Sequence, residues 1–347
     1  MGGSGEKTKR LILPQLTLQG ERQIGNGIAL GKETYYDTRQ EIKAQPDEKG
    51  QRMRIMQSRA PAKINVYLRI VGRRPDGYHL LDSLMVPISL YDDIHITVVP
   101  REQRAAHSGA ALVVHCDDPA VPGGETNLAY KAAALVCQEA GLQTRIGIHL
   151  RKRIPAGAGL GGGSSNAATV LKSLNALLAL GWTEARLCQL GVRLGADVPF
   201  FIACRPARIG GIGDIVTTVP PLPACSVVLV VPPFSVSTPW AYQRFDELLP
   251  VDPASALPWQ FTPGQWPPRQ WFINDLERAV LPAYPPIAAL KEGLRRLGAE
   301  GVLMSGSGSS VFGIFRHRTA AEQAIPPLQA HGRVFLVEPL SGPPGAV

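Results

Sequence analysis

The chain has 347 residues, of which 45% are hydrophobic and 18% are charged, so it can bury a substantial core and is expected to form one or two globular domains. Its 36 basic and 28 acidic side chains give a formal net charge of +8. This mild excess suits the attraction of anionic metabolites and argues against a nucleic-acid-binding surface, and no apolar run is long enough to span a membrane.

The cysteines are five in number and scattered along the chain. None of them are spaced as Cys-x-x-Cys, so neither a disulfide framework nor a zinc site is indicated. A reducing cytoplasm is therefore the expected location.

The first 57 residues differ in composition and patterning from the rest, since they are polar, mixed in charge and poor in periodic apolar positions. Acidic residues make the segment unlike a transit peptide, and it lacks the apolar run of a signal peptide. It is expected to be a disordered extension, or to lie upstream of the true translation start, with Met53 or Met56 as candidate first residues.

The secondary-structure pattern becomes regular from residue 60 onward. Apolar and polar residues alternate in segments that predict strands, a Pro-Asp-Gly turn lies at residues 75–77, and helical spacing occurs in three later segments. The strands are predicted at residues 62–71, 78–90, 94–99, 112–116, 146–150, 302–304 and 311–315, and the helices at 127–140, 167–180 and 184–194. Strands come first and helices are interleaved later, which favours an α+β fold over a doubly wound sheet.

A glycine-rich segment runs directly into the second of these helices. Glycine allows close approach of the backbone to a ligand, and a helix start presents unpaired N–H groups and the positive end of a dipole. The segment therefore predicts an anion site that would suit a polyphosphate. Its residues are Pro155, Ala156, Gly157, Ala158, Gly159, Leu160, Gly161, Gly162, Gly163, Ser164 and Ser165.

Three familiar phosphate loops compete for this segment. A Walker A loop fails because no lysine follows the final glycine. Gly157, Gly159 and Gly162 match the dinucleotide fingerprint, with Glu184 as a possible ribose ligand, but residues 151–155 separate them from the preceding strand. The protein-kinase loop is excluded because no His-Arg-Asp or Asp-Phe-Gly triplet follows.

A plain flexible loop is the remaining alternative for the glycine-rich segment. In that case Ser164, Ser165 and Asn166 would be ordinary helix caps. Both roles are compatible, because a hydroxyl at a helix start is also placed to contact phosphate or a bound Mg²⁺.

Two further segments carry candidate polar chemistry. Lys63 and Asn65 lie two residues apart on a predicted strand and so point to the same face. Asp197 lies between a helix end and an apolar run that reads as a strand, where it is either a cap or a functional carboxylate. A further glycine-containing loop, called the third loop below, is Ser-Gly-Ser-Gly-Ser-Ser at residues 305–310. It connects two predicted strands and could be a simple hairpin.

Three of these motifs match the GHMP kinase superfamily in order: Pro-Ala-Lys-Ile-Asn at residues 61–65, the loop and helix start at 159–168, and the third loop. The chain therefore resembles this superfamily, which is named for galactokinase, homoserine kinase, mevalonate kinase and phosphomevalonate kinase. The resemblance covers roughly residues 59 to 340. Within the superfamily, residues 72–83 and 194–200 resemble the members that act on a cytidylyl alcohol.

The resemblance implies a two-lobed fold, with a ribosomal protein S5 domain 2-like N-terminal lobe over residues 58–212 and a ferredoxin-like C-terminal lobe over residues 213–347. It implies transfer of the γ-phosphoryl group of ATP to a tertiary hydroxyl of a small cytidylyl substrate, within the non-mevalonate isoprenoid route. Asp197 corresponds to the base and Lys63 to its partner, which would keep the carboxylate charged. Either a monomer or a homodimer is compatible with this assignment.

The same resemblance assigns the remaining site residues. Asn65, Tyr78 and His79 would form the cytidine site, with Tyr242 stacking opposite Tyr78. Ser164 or Ser165, with Ser165 preferred, would contact Mg²⁺. Residues 246–270 have no counterpart and read as a surface insertion, and Asn274-Asp275 resembles a family signature without an evident role.

Two other functions stay open at this point. A sister kinase for homoserine or mevalonate would share the phosphate loop but lack the segment from Arg73 to His79. A noncatalytic nucleotide-binding relative would be expected to lose Lys63 or Asp197, and both are present.

Overall fold

The computed structural model describes residues 43–46, 52–100, 111–248 and 271–344. Within these ranges two β-sheets are covered by helices. The strands are β1 Lys43–Pro46, β2 Arg52–Arg73, β3 His79–Pro100, β4 Ala111–Cys116, β5 Thr144–Arg151, β6 Ala207–Gly210, β7 Ile215–Thr218, β8 Ser226–Val231, β9 Gly301–Met304, β10 Val311–Phe315 and β11 Arg333–Val337. The helices are α1 Leu128–Ala140, α2 Gly162–Leu177, α3 Glu184–Val192, α4 Val198–Ala203, α5 Thr238–Leu248, α6 Glu277–Ala283, α7 Pro285–Arg296 and α8 Arg318–Leu328.

The first sheet is organised around the long antiparallel hairpin of β2 and β3. The hairpin closes at the pair Arg73↔His79, and Gly77 in the turn has a φ of +91°. The turn was predicted from its Pro-Asp-Gly sequence. The two strands predicted at 78–90 and 94–99 are one strand, because residues 91–93 stay paired with β2.

The sheet order is β1-β2-β3-β5-β4, with β6 and β7 extending it beside β3. Only β4 and β5 pair in parallel among the strands described for this sheet. Alternation along the strands buries one face, and α1 and α2 cover it: Ala132 and Val136 of α1 and Leu171 and Leu174 of α2 pack in one hydrophobic cluster with Ile96 of β3.

The second sheet has the order β11-β8-β10-β9, all antiparallel. With α5–α7 between β8 and β9 and α8 between β10 and β11, the chain follows the β-α-β-β-α-β path of a ferredoxin-like unit. Every residue of β8 is buried, because helices pack on one face and the first sheet on the other. On that second face Ile64 and Val86 share a hydrophobic cluster with Val227 and Phe312. The α+β prediction is confirmed.

The N-terminal boundary differs from the prediction. Strand β2 begins at Arg52, six residues before the predicted domain start at residue 58, and Met56 is buried against the core. Strand β1 pairs with this extension of β2. Residues 43–46 and 52–57 are therefore part of the sheet and not a disordered extension, while the rest of residues 1–57 lies outside the described residues.

Two helix boundaries also differ. Helix α2 begins at Gly162, five residues before the predicted start, so Ser164, Ser165 and Asn166 lie inside the helix and are not its caps. Residues 198–203 form helix α4, although their apolar run was predicted to be a strand. A short apolar run does not distinguish a buried strand from a buried helix, and Pro199 suits the first turn of a helix.

None of the helices within the described ranges has the length and apolar character needed to cross a membrane.

Candidate active site

The glycine-rich segment forms a tight turn pressed against the third loop. Gly157, Gly159 and Gly161 all have positive φ angles, between 65° and 76°. A Cβ atom on Gly159 would lie 2.1 Å from the carbonyl oxygen of Ser305, so no side chain fits there. Glycine at this position is required by both the backbone conformation and the close approach of the two loops.

Helix α2 starts without a side-chain cap. Its N-cap residue is Gly161, and the first hydrogen bond inside the helix runs from the N–H of Ser165 to the carbonyl of Gly161, at 2.9 Å. The N–H groups of Gly162, Gly163 and Ser164 have no acceptor among the described residues. Three unpaired donors at the positive end of a helix dipole form an anion site.

The third loop is the hairpin connection between β9 and β10, as predicted, and it bonds directly to the glycine-rich segment. The hydroxyl of Ser305 donates to the carbonyl of Gly159 at 3.0 Å, and the N–H of Ser310 donates to the carbonyl of Ala158 at 3.3 Å. A Cβ atom on Gly306 would lie 3.3 Å from Nζ of Lys63. The loop therefore reaches the lysine of the first motif.

The predicted catalytic pair meets at this place. Nζ of Lys63 lies 3.8 Å from Oδ2 of Asp197, and the backbone N–H of Lys63 donates to the carbonyl of Leu160 at 3.0 Å. The lysine side chain is 5% exposed and the aspartate side chain 29%, so the carboxylate keeps an open side toward solvent. Asp197 is the N-cap residue of α4, but its side chain makes no capping bond. Of the two roles left open for Asp197, the geometry favours the functional carboxylate.

Asn65 lies behind Lys63. Its Oδ1 accepts a hydrogen bond from Nζ of Lys63 at 2.6 Å, and its Nδ2 donates to the hydroxyl of Ser83 at 2.9 Å. The residue has no exposed surface. The amide of Asn65 therefore positions the lysine, and a contact between Asn65 and the cytidine base stays a prediction.

The aromatic residues predicted for the cytidine site lie at the closed end of the β2–β3 hairpin. The ring of Tyr242 on α5 packs on the imidazole of His79 with 4.7 Å between centroids, and Tyr78 is 61% exposed. Burial and the negative charge of Asp197 raise the pKa of Tyr242 well above its usual range. Stacking of a base between Tyr78 and Tyr242 stays a prediction.

A buried carboxylate that sequence reasoning missed holds the glycine-rich segment in place. Asp92 on β3 is fully buried, pairs with the ammonium group of Lys152, and accepts hydrogen bonds from the backbone N–H of Arg153 at 2.8 Å and Ile154 at 2.9 Å. The side-chain amide of Asn166 on α2 donates to it at 2.9 Å. One side chain thus fixes both the entry to the segment and the helix that follows.

Asp92→Asn is expected to lower the free energy of unfolding by about 3 kcal/mol, because an amide nitrogen cannot accept from Lys152 or Asn166 and the ammonium loses its buried partner. Chemical denaturation measures this change. Asp93→Asn is the matched control. The carboxylate of Asp93 pairs with Arg153 at the surface, so its loss should lower the free energy of unfolding by less than about 0.5 kcal/mol. Equal effects of the two substitutions would contradict the anchoring role.

Asn274 and Asp275, which had no predicted role, join the third loop to β2. The amide of Asn274 donates to the carbonyls of Met304 at 2.8 Å and Gly306 at 2.7 Å. Asp275 accepts from the backbone N–H of Ile70 on β2 at 2.9 Å. The two residues therefore fix the position of the third loop relative to β2, the strand that carries Lys63.

The hydroxyls at the start of α2 differ in their surroundings. Ser165 Oγ is buried without a hydrogen-bond partner among the described residues, while Ser164 Oγ lies 3.7 Å from where a Cβ on Gly195 would stand. Gly195 belongs to the loop that carries Asp197. The described part of the chain holds no group of three or more His, Cys, Asp or Glu side chains arranged as a metal site.

Comparison with known proteins identifies this arrangement. The model described as GHMP kinases N terminal domain matches residues 127–205, and the model described as GHMP kinases C terminal matches residues 268–334. A protein of Citrifermentans bemidjiense named 4-diphosphocytidyl-2-C-methyl-D-erythritol kinase is 43% identical over 272 residues, which cover 78% of this chain and 94% of that protein. The chain belongs to the 4-diphosphocytidyl-2-C-methyl-D-erythritol kinase family of GHMP kinases.

Solved structures agree with this assignment. A crystal structure of 4-(cytidine 5'-diphospho)-2C-methyl-D-erythritol kinase matches with a TM-score of 0.65 and 36% identity, covering 83% of this chain and 100% of that one. A homoserine kinase from Cytophaga hutchinsonii matches with a TM-score of 0.60 at 18% identity, covering 84% of this chain and 96% of that one. The second likeness shows the fold alone. The predicted family resemblance is confirmed, and the chain is a small-molecule kinase; the domain boundary at residues 212 and 213 stays a prediction.

Proposed function

We propose that this GHMP kinase transfers the γ-phosphoryl group of ATP to the 2-hydroxyl of 4-diphosphocytidyl-2-C-methyl-D-erythritol, giving the 2-phosphate and ADP in the non-mevalonate route to isopentenyl diphosphate. The observation that carries the proposal is the meeting of Lys63 and Asp197 beside the uncapped start of α2. The substrate is taken from the relatives that share at least 40% identity over most of the chain.

ATP fits the glycine-rich segment, because the unpaired N–H groups of Gly162, Gly163 and Ser164 can receive its phosphate oxygens. Mg²⁺ carried by the nucleotide needs only one or two protein ligands, since phosphates and water complete its coordination. The hydroxyl of Ser164 or Ser165 fits that requirement, and Ser165 Oγ has no other partner among the described residues. Bound Mg²⁺ would neutralise part of the charge that develops on the transferred group.

Asp197 accepts the proton of the attacking hydroxyl, and Lys63 keeps the carboxylate oriented toward it. A tertiary alcohol is a crowded nucleophile, so alignment contributes as much as proton removal. Tyr78, His79 and Tyr242 hold the cytidine half of the substrate. The five cysteines are free thiols, which is consistent with the proposed cytoplasmic location.

The test is ATP-dependent phosphorylation of 4-diphosphocytidyl-2-C-methyl-D-erythritol beside homoserine and mevalonate, followed as ADP release and product mass. Turnover of the cytidylyl substrate alone is the expected result. Turnover of another alcohol instead would overturn the substrate and keep the reaction class, and no turnover of any alcohol would overturn the enzymatic proposal.

The activity is also expected to have an alkaline limit set by Lys63. Burial lowers the pKa of Lys63 below its usual 10.5, and the charge of Asp197 partly opposes this shift. Since the lysine pairs with Asp197 only when protonated, kcat/KM falls as pH rises through this lowered pKa. Lys63→Arg should remove the limit from the pH profile, because a guanidinium stays charged. The same alkaline limit in both proteins would assign it to another group.

A further inference from the structure

Asp246 on α5 fixes both sides of the hairpin that carries the proposed cytidine contacts. Its Oδ1 lies 2.7 Å from Nε2 of His79, and its Oδ2 lies 3.2 Å from the guanidinium group of Arg73. Arg73 and His79 face each other as the closing pair of β2 and β3. Asp246 was predicted to begin a surface insertion; it is instead part of α5, and residues 249–270 of that segment lie outside the described residues.

The contact with His79 is partly shielded from solvent. The imidazole is 11% exposed and the carboxylate 22%. Tyr242 lies one helical turn before Asp246, so both side chains share a face of α5, and its ring packs on the same imidazole. Helix α5 therefore supplies both the hydrogen-bond acceptor and the ring that hold His79 in one orientation.

This contact selects the tautomer of His79. A carboxylate only accepts hydrogen bonds, so Nε2 of His79 carries the hydrogen. In the neutral ring Nδ1 is then an acceptor with a free lone pair. No residue in the described ranges donates a hydrogen bond to this nitrogen, which leaves it free to accept one from a ligand.

We propose that Asp246 is a specificity-determining positioning residue, which by holding Nε2–H of His79 presents Nδ1 as an acceptor for the 4-amino group of a cytosine base. Uracil carries a carbonyl oxygen in place of that amino group, and two acceptors facing each other repel. The inference rests on the proposed function and deepens it. It explains the preference for cytosine over uracil by a residue, Asp246, that does not itself contact the base.

The test compares cytidylyl and uridylyl forms of the methylerythritol substrate in steady-state kinetics. Asp246→Ala should raise KM for the cytidylyl form about tenfold, leave kcat within about twofold, and reduce the cytidylyl-to-uridylyl ratio of kcat/KM about tenfold. Glu247→Ala is the matched control: this neighbouring carboxylate is 49% exposed and pairs with Arg244 at the surface. It should leave the ratio unchanged.

Arg73→Gln separates the two contacts of Asp246. It removes the ion pair with Asp246 but leaves the bond to His79, so the selectivity ratio should stay near the wild-type value. The proposal is overturned if Asp246→Ala keeps the wild-type ratio, or if Arg73→Gln loses selectivity to the same extent, since Asp246 would then act only by anchoring the hairpin.

Binding measurements keep this outcome distinct from failure of the proposed function. Calorimetry of CDP and UDP, with the ATP site filled by a nonhydrolysable ATP analogue, reports base preference without any turnover. A preference for CDP that Asp246→Ala abolishes would support the inference even if the methylerythritol substrate were not phosphorylated. Equal weakening of both nucleotides would overturn it.

Discussion

Asp197→Asn is expected to lower kcat by about 10²- to 10⁴-fold, the range typical for loss of a general base, with KM for ATP changed by less than about threefold. The amide matches the carboxylate in shape but cannot accept the proton of the attacking hydroxyl. The Asp197 side chain makes no capping bond to α4, so the substitution removes no helix cap. Steady-state kinetics with the cytidylyl substrate and ATP measure the effect.

Thermal unfolding of the same variant serves as its control, because an unchanged melting temperature assigns the loss to chemistry and not to folding. Asp93→Asn should retain full activity, since its carboxylate lies on the surface beside Arg153. An Asp197→Asn enzyme with kcat within tenfold of wild type would mean that the proton leaves by another route, and the base would have to be sought elsewhere.

The second large effect is expected from Gly159→Ala. The added methyl group would lie 2.1 Å from the carbonyl oxygen of Ser305 and 3.1 Å from that of Gly308, both of which belong to backbone and cannot rotate away. The φ of +76° adds strain of about 1–2 kcal/mol. The two loops must separate, so kcat/KM for ATP should fall at least about 100-fold and the free energy of unfolding by about 3 kcal/mol.

Gly181→Ala isolates the steric part of this effect. Gly181 has a similar φ of +67°, but nothing lies within 4 Å of the position that its Cβ would take. This control should lose about 1–2 kcal/mol of stability from backbone strain and keep its activity. If both substitutions reduced kcat/KM equally, the tight approach of Gly159 to the third loop would not be what shapes the ATP site.

The sites that sequence reasoning missed are formed by residues far apart along the chain. Asp92 and Lys152 are separated by 60 positions, and Asn274 reaches the carbonyl of Gly306 32 positions later. Neither pair has a local pattern that points to its partner. Lys152 stands in the basic run just before the glycines, and this run is a local signal for a nearby acidic partner.

Local patterns also failed where one pattern is compatible with two structures. The apolar run that starts at Val198 was predicted to be a strand and is a helix, and the strand predicted to end near Leu90 continues to Pro100. In each case packing against distant elements decided between alternatives that the residues themselves left open.

The sequence by itself determined the α+β class, the hairpin turn at Gly77, the glycine-rich anion segment, and the membership in the GHMP kinases through Lys63 and Asp197. These features follow from short-range chemistry, since turn residues, periodicity and glycine conformations act over a few positions. The family resemblance already implied that Lys63 is the partner of Asp197. Only the tertiary structure decided that Asp92 secures the phosphate segment and that Asp246 orients His79. Those contacts join residues brought together by sheet pairing and helix packing, whose partners are chosen by the burial of the whole core.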